Sequence, residues 1–179
     1  AVKLCMIFPD SYEIGMSNLG IQILYELVNE LPDFLCDRAF CPWPDMADLL
    51  RETETPLFGL DSRRPLAAFD ILGFTLPYEM GATGVLEVLD LAGVPLESAQ
   101  RGEDDAIVIG GGASFVNPEP MADFFDAIVI GEGEEILPQL MRTLGERKGR
   151  GRDWREKFLN EVSGYEGVFV PRLYEPQYA

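Results

Sequence analysis

The sequence contains no histidine, and this absence removes several kinds of functional site at once. Without an imidazole there can be no Ser-His-Asp triad, no histidine general base and no histidine-ligated zinc ion. We therefore assign no catalytic and no metal-ligating residue to this chain. The residues that remain of interest are those that bind through backbone groups, hydroxyls and carboxylates.

Cysteine is also scarce, with three residues in 179 and no C-x-x-C pair among them. Cys5 and Cys36 lie in apolar, strand-like runs, and Cys41 precedes a proline. A closed iron–sulfur or zinc cage within this sequence is therefore not expected. Reduced, buried thiols are typical of a cytoplasmic protein, which is the location we expect.

Basic residues are few: 14 Lys and Arg stand against 31 Asp and Glu, for a net charge of −17. Binding to a phosphate backbone needs clustered Lys and Arg, and the sequence has one weak cluster, at 147–152. We expect no nucleic-acid partner. No apolar run approaches the roughly 20 residues of a membrane span, and the first residues lack a signal-peptide layout, so we expect no membrane partner.

Short apolar runs alternate with helical patterns along the whole chain. The predicted strands are 2–8, 34–40, 70–76, 106–109 and 127–130, with a last edge strand at 168–170. The predicted helices are 18–31, 44–52, 84–91, 134–146 and 154–162. This alternation predicts an α/β fold, a three-layer doubly wound parallel sheet of about five strands with a C-terminal helical extension. The favoured strand order is 2-1-3-4-5, as in flavodoxin-like folds.

The length suits about one domain. We place the domain at residues 1–150 and expect a helix and an extended linker at 151–179. Ligands of such sheets bind beyond the carboxyl ends of the strands, which here are the loops at 9–18, 75–83, 110–118 and 131–134. Most of these loops carry Gly, Ser, Thr or Asn, which suits a close approach of the backbone to a ligand.

Four of these loops resemble, in the right order, those of cobalamin-binding domains. Asp10, Tyr12 and Gly15 fit the D-x-H-x-x-G pattern, with Tyr12 in the place of the histidine. Thr75 stands where the family has the Ser of Ser-x-Leu, and Pro77 departs from its Leu. The family's Gly-Gly and the G-E-G-E of its radical SAM members are matched by Gly110, Gly111, Gly112, Gly131, Glu132, Gly133 and Glu134.

Longer stretches carry the resemblance further. The segments PDSYEIGMSNLG at 9–20, PWPDM at 42–46, NPEP at 117–120 and ADFFD at 122–126 are similar to the N-terminal region of B12-binding-domain-containing radical SAM proteins of an uncharacterised subfamily. The resemblance implies a parent chain with a radical SAM barrel. The [4Fe–4S] cluster and the S-adenosylmethionine site would lie in that barrel, outside this sequence. We expect this chain to be a domain without turnover of its own, whose partner is the barrel.

The same resemblance implies a set of cofactor-binding residues for cobalamin. They are Asp10, Tyr12, Gly15, Ser17, Thr75, Tyr78, Gly110, Gly111, Gly112, Glu132 and Gly133. A neutral phenol does not replace a histidine on cobalt, so cobalamin would bind base-off, with Tyr12 covering its lower face. Asp10 would bond a backbone N–H or Tyr12, while Thr75, Tyr78 and the glycine backbone would line the groove for the nucleotide tail.

Two other interpretations stay open. A domain that has lost the cofactor would dock on or shield the barrel; Tyr12 and Pro77 favour this, and Phe115, Tyr78 and Glu79 would then fill the cleft. A flavodoxin-like binder of a nucleotide or flavin would need a phosphate cradle, which the sequence does not show. The cleft above Gly15, Thr75 and Gly111 separates the first two, since it is open only for cobalamin.

One aromatic residue in these loops has a simpler interpretation. Trp43, between two prolines, is interpreted as a packing anchor rather than as a ligand platform.

Overall fold

The computed structural model describes residues 1–149 and 151–174, and it contains a single six-stranded sheet in order β2-β1-β3-β4-β5-β6. The strands are β1 (Val2–Phe8), β2 (Phe34–Phe40), β3 (Ile71–Thr75), β4 (Ile107–Gly111), β5 (Ala127–Val129) and β6 (Val168–Phe169). The first five are parallel, which confirms the predicted α/β class and the order 2-1-3-4-5. The edge strand β6 adds to this order and pairs antiparallel with β5.

Six α-helices accompany the sheet in the described residues: α1 (Tyr12–Gly15), α2 (Leu19–Asn29), α3 (Pro44–Glu52), α4 (Ala82–Ala92), α5 (Gly133–Arg147) and α6 (Trp154–Val162). Helices α2, α5 and α6 share one core with one face of the sheet. Helices α3 and α4 share a second core with the other face. The helices described here are too short or too polar to cross a membrane.

The strands are buried on both faces, as their nearly continuous apolar sequences require. Along β1, Leu4, Met6 and Phe8 belong to the core beneath α2 and α5, while Cys5 and Ile7 belong to the core beneath α3 and α4. Because these five strands are parallel, the chain leaves each of them at the same edge of the sheet. The loops after β1, β3, β4 and β5 therefore lie at this edge.

Helix α2 begins at this edge because a side chain caps it. The Oδ1 atom of Asn18 accepts a hydrogen bond from the backbone N–H of Ile21 at 3.0 Å, which satisfies one of the free amides of the first turn. Helix α4 ends at Gly93, whose φ of 68° lies in the left-handed region that favours glycine.

A buried carboxylate, Asp126, joins the last helix to the sheet. It is fully buried and accepts hydrogen bonds from Ser98 Oγ at 2.7 Å, Val108 N at 2.7 Å, Arg101 Nη1 at 3.1 Å and Arg155 Nη2 at 2.8 Å. Burial lowers the pKa of Arg101, and the neighbouring carboxylate opposes this shift. Arg155 belongs to α6, so one carboxylate fixes the helical extension against β4 and β5.

Replacing Asp126 by alanine leaves two buried guanidinium groups without their shared counter-ion. We expect Asp126→Ala to cost about 3–5 kcal/mol in the free energy of unfolding, the usual result of breaking a buried pair from one side. Urea unfolding measures this cost. The exposed Asp104 provides the control, because Asp104→Ala should leave the midpoint unchanged. Equal, small effects of both substitutions would contradict the structural role of Asp126.

A second buried carboxylate, Asp37, holds the loop that follows α3. It accepts hydrogen bonds from the N–H groups of Arg38, Asp61 and Ser62 and from the hydroxyl of Ser62 at 2.6 Å. Burial raises the pKa of Asp37, but these four hydrogen bonds outweigh burial and leave its pKa below the ordinary value. The folded protein thus favours the ionised carboxylate.

The lowered pKa predicts how stability depends on pH. Above the ordinary aspartate pKa of about 3.9 the contribution of the Asp37 carboxylate is complete, and it is lost as the pH falls towards and through the lower folded value. We expect the difference in unfolding free energy between the wild type and Asp37→Asn to be constant above about pH 5 and to shrink in acid. Denaturant titrations from pH 7 to pH 3 test this. Asp48→Asn, at an exposed position of α3, should show no such trend.

Candidate functional site

A groove of about 190 Å³ opens at the carboxyl ends of the central strands, between α2 and α5. It lies on the face of the sheet that these two helices cover. Its lining residues are Met6, Gly20, Leu24, Gly73, Phe74, Thr75, Ile109, Gly110, Gly111, Gly112, Val129, Gly131, Glu132, Gly133, Glu134, Ile136 and Leu137. Glycine provides seven of these 17 positions, so much of the surface is bare backbone.

Two rows of paired residues form the floor of the groove. In the inner row Met6 pairs with Gly73 and Gly73 with Ile109. In the outer row, nearer the carboxyl edge, Thr75 pairs with Gly111 and Gly111 with Val129. Each row has a glycine on a central strand. Because these two residues have no side chain, the groove reaches down to the backbone of the sheet.

The walls of the groove are apolar and its mouth is acidic. Leu24 of α2 and Ile136 of α5 line the two sides, and both pack partly buried against the core. Glu132 and Glu134 stand where β5 leads into α5. Among the described residues, no Lys or Arg side chain lines this groove.

The three consecutive glycines at the end of β4 differ in what an added side chain would meet. A Cβ on Gly110 would lie 2.5 Å from Cζ of Phe115, on the opposite face from α2 and α5. A Cβ on Gly111 would meet only the carbonyl oxygen of Val129 at 3.9 Å. Gly112 has a φ of 110° and approaches the backbone of Leu76. Only Gly111 is thus free to accept a side chain, which would project over the floor.

This difference predicts opposite effects of the same substitution at neighbouring positions. Gly110→Ala should cost about 1–3 kcal/mol, because the new methyl group overlaps the ring of Phe115. Gly111→Ala should be neutral or stabilise by up to about 1 kcal/mol, because it removes a glycine from a strand without a clash. Thermal or urea unfolding of the two variants compares them directly. A loss at Gly111 as large as that at Gly110 would refute the assigned geometry.

The groove brings together six of the eleven residues that the sequence indicated. Thr75, Gly110, Gly111, Gly112, Glu132 and Gly133 line it. The other five, Asp10, Tyr12, Gly15, Ser17 and Tyr78, lie in the loops after β1 and β3, outside the lining.

Asp10 and Tyr78 form a pair at the carboxyl edge. The Tyr78 hydroxyl donates a hydrogen bond to Asp10 Oδ2 at 2.7 Å, and the backbone N–H of Ser11 donates to Oδ1 at 2.7 Å. The hydrogen bond to Asp10 raises the pKa of Tyr78, so its phenol is protonated at neutral pH. Tyr12 is 52% exposed, and its ring packs edge-on against Phe40 at 5.4 Å.

Gly15 and Ser17 shape the loop after β1. A Cβ on Gly15 would overlap the ring of Phe40, so glycine is needed there for packing. The hydroxyl of Ser17 donates to the carbonyl of Ile14 at 2.8 Å and closes the turn after α1. Both residues thus have a complete structural explanation within this loop.

The floor residues Met6, Gly73, Ile109 and Val129 are the part of the groove that sequence reasoning missed. They lie inside apolar strands and carry no motif. Gly73, in the middle of a strand of large apolar residues, is the one signal that could have found them, since such a glycine indicates a close approach.

Large apolar side chains are exposed on the loop after each parallel strand. They are Tyr12, Trp43, Met80, Val116 and Ile130. Trp43 is 61% exposed and its indole N–H contacts Glu13 at 3.3 Å, so its interpretation as a packing anchor is wrong. The loops at the carboxyl edge therefore expose apolar side chains, and none of these five lines the groove itself.

The three thiols are protonated at neutral pH. Burial raises the pKa of Cys5 well above its ordinary value, that of Cys36 to about 12 and that of Cys41 to about 11. Residues 1–149 and 151–174 contain no group of three or more Cys, Asp or Glu that could hold a metal ion.

A mostly parallel sheet with a groove at its carboxyl edge defines the architecture as that of an open α/β domain. The family model for the N-terminal region of radical SAM proteins matches residues 20–171. The chain therefore belongs to this family of radical SAM N-terminal domains.

Two solved structures share the fold. Both are of TsrM from Kitasatospora setae, a radical S-adenosylmethionine methyltransferase: one with its tryptophan substrate and the SAM analogue aza-SAM, the other with cobalamin and a [4Fe–4S] cluster. The TM-scores are 0.58 and 0.57 at 15% and 16% identity, and each match covers 95% of this chain. The chain spans 28% and 27% of those chains. No curated protein matches the sequence.

Proposed function

We propose that this chain is the cobalamin-binding domain of a radical SAM enzyme, and that the groove between α2 and α5 holds the nucleotide tail of a base-off cobalamin. The open, glycine-floored groove is the observation that carries the proposal. TsrM, whose fold is similar, binds both cobalamin and a [4Fe–4S] cluster. The cluster and S-adenosylmethionine would belong to a radical SAM barrel in the same parent chain, next to the carboxyl edge.

The size of the groove fits one flat aromatic base. An apolar cavity of about 150 Å³ accommodates benzene in another protein, so about 190 Å³ suits the base of the tail and is far too small for a corrin macrocycle. The macrocycle would lie outside, on the exposed apolar side chains of the edge. Gly111 is the residue whose missing Cβ keeps the entrance open.

The charge of the site also favours a corrinoid over a nucleotide polyphosphate. The periphery of cobalamin carries primary amides and its tail carries ribose hydroxyls, which donate hydrogen bonds that Glu132 and Glu134 can accept. The tail has a single phosphodiester charge, less than the charge of a di- or triphosphate. A di- or triphosphate would instead meet these carboxylates, in a domain of net charge −17, without a Lys or Arg in the described lining. The flavin or nucleotide interpretation is therefore the weaker one.

The loop after β1 fits a cofactor without a protein ligand on cobalt. Asp10 is occupied by Tyr78 and by the N–H of Ser11, so it does not orient Tyr12. Tyr12, free at the surface, would then cover the lower face of the ring as a flat apolar group. Chemistry at the metal would come from the cofactor, while this chain would bind it and shield it from water.

A cofactor-free docking module is the second candidate, and the exposed apolar edge favours it equally. Its other expectation was a cleft filled by Phe115, Tyr78 and Glu79. Phe115 is buried against Gly110 and Phe125 on the opposite face, and none of the three lines the groove. The open groove therefore supports the cobalamin proposal over this alternative.

Residues 151–174 would lead from this domain towards the barrel. The far end of the predicted linker, 175–179, lies outside the described residues. The three free cysteines fit a reducing compartment such as the cytoplasm.

The test is a titration of the 179-residue chain with hydroxocobalamin, followed by desalting and a visible spectrum. We expect retained cobalamin with a base-off spectrum. Gly111→Val should reduce retention at least about tenfold, because its side chain fills the entrance. Gly102→Val is the matched control, since Gly102 is exposed before β4, at the other edge of the sheet, and has ample space.

Two results would contradict the proposal. No retention at high micromolar cobalamin would favour the docking module. Equal retention by the wild type, Gly111→Val and Gly102→Val would place the cofactor outside the groove.

A further inference from the structure

We propose that the groove selects corrinoids by the base of their tail, accepting a benzimidazole base and rejecting a purine. This inference rests on the proposed function, because it concerns the ligand of the same site. It follows from the polar groups that the groove does and does not offer at each depth.

The inner part of the groove offers no side-chain hydrogen-bonding partner among the described residues. Met6, Ile109 and Leu137 are all at most 5% exposed and apolar. The N–H and C=O groups of β3 and β4 are engaged in the sheet ladder with their neighbours. A base that enters this part loses its contacts with water and gains contacts with apolar side chains alone.

Polar side chains occur only nearer the mouth. Thr75 belongs to the outer row of the floor, and Glu132 and Glu134 stand at the entrance. Ribose hydroxyls can find acceptors there. The site thus has a polar outer zone and an apolar inner zone.

The chemistry of the two classes of base differs at the end that enters first. In 5,6-dimethylbenzimidazole the deep end is a hydrocarbon ring with two methyl groups, and the one free ring nitrogen lies beside the ribose. In an adenine base the six-membered ring carries two nitrogens and an exocyclic amine. A purine would lose its hydrogen bonds to water and gain none, and a buried polar group without a partner opposes binding.

Size does not make this distinction, because both bases are flat bicycles of similar volume. The selectivity therefore depends on polarity, and a polar wall residue should weaken it. Ile136 is suitable for such a change, since it lines the groove from α5 and is only partly buried. Glutamine keeps the helix and presents an amide to the base.

The experiment measures the dissociation constants of three corrinoids for the 179-residue chain by absorbance and fluorescence titration. They are cobalamin, the adenine-base cobamide, and cobinamide, which has no nucleotide. We expect cobalamin to bind at least about tenfold more tightly than the adenine-base cobamide, since one unpaired buried polar group has roughly that effect. Cobalamin should exceed cobinamide by at least as much, because cobinamide has no base to bury. Ile136→Gln should reduce the difference in dissociation constant between the two cobamides. Ile23→Gln, on α2 and outside the lining, should not.

The outcomes separate the inference from the proposed function. If no corrinoid binds, the proposed function fails and the inference with it. If the two cobamides bind equally and both exceed cobinamide, the groove holds the tail but the base selectivity is refuted. If all three bind equally, the tail lies outside the groove; the inference then fails while corrinoid binding stands.

Discussion

The whole site depends on the absence of two side chains, at Gly73 and Gly111, on adjacent central strands. Glycine in a strand costs about 0.5–1 kcal/mol relative to alanine, because the unfolded chain has more freedom to lose. Central parallel strands ordinarily carry Val, Ile or Leu and pack against helices. Here the two glycines place no side chain between the sheet and helices α2 and α5. The groove is the space that those side chains would otherwise occupy.

The two faces of the sheet differ at its carboxyl edge, where one is closed by packed side chains and the other is open. On the α3–α4 face, Phe74, Phe115 and Phe125 interlock edge to face, with ring centres 5.1 and 5.9 Å apart. On the α2–α5 face the same end of the sheet stays open. Gly110 and Gly111 are adjacent in sequence and face opposite sides of the sheet, so one makes room for Phe115 and the other leaves the floor of the groove uncovered. The closed face provides the rigidity that an open groove needs.

The sheet and its helices could be predicted because apolar periodicity records burial directly. Helix α3 begins at Pro44 and ends at Glu52 as the sequence indicated, and the five parallel strands follow the predicted order. The glycine loops after β4 and β5 could also be located, since a ligand site in such a sheet lies at the carboxyl edge. This part of the prediction depends on topology alone.

The rest could not be predicted because spacing in sequence does not give the direction of a side chain. The D-x-Y-x-x-G spacing at 10–15 indicated that Asp10 bonds a backbone N–H or Tyr12. Asp10 does accept a hydrogen bond from the N–H of Ser11, but its side-chain partner is Tyr78, 68 residues away. Gly15 fits a binding motif, yet the ring of Phe40 explains it. Met6 and Val129 become neighbours of the groove only through strand register.

The pairing of Asp10 with Tyr78 has a consequence for the whole carboxyl edge. The Asp10 carboxylate accepts hydrogen bonds from the phenol of Tyr78 and the N–H of Ser11, so the pair joins the loops after β1 and β3. The sequence has no histidine, and the loops at this edge expose large apolar side chains. In the proposed site, recognition would come from the groove beneath, where the depth of each polar group would decide which ligand is accepted. The mouth, with its carboxylates, favours hydrogen-bond donors, and the floor favours hydrocarbon.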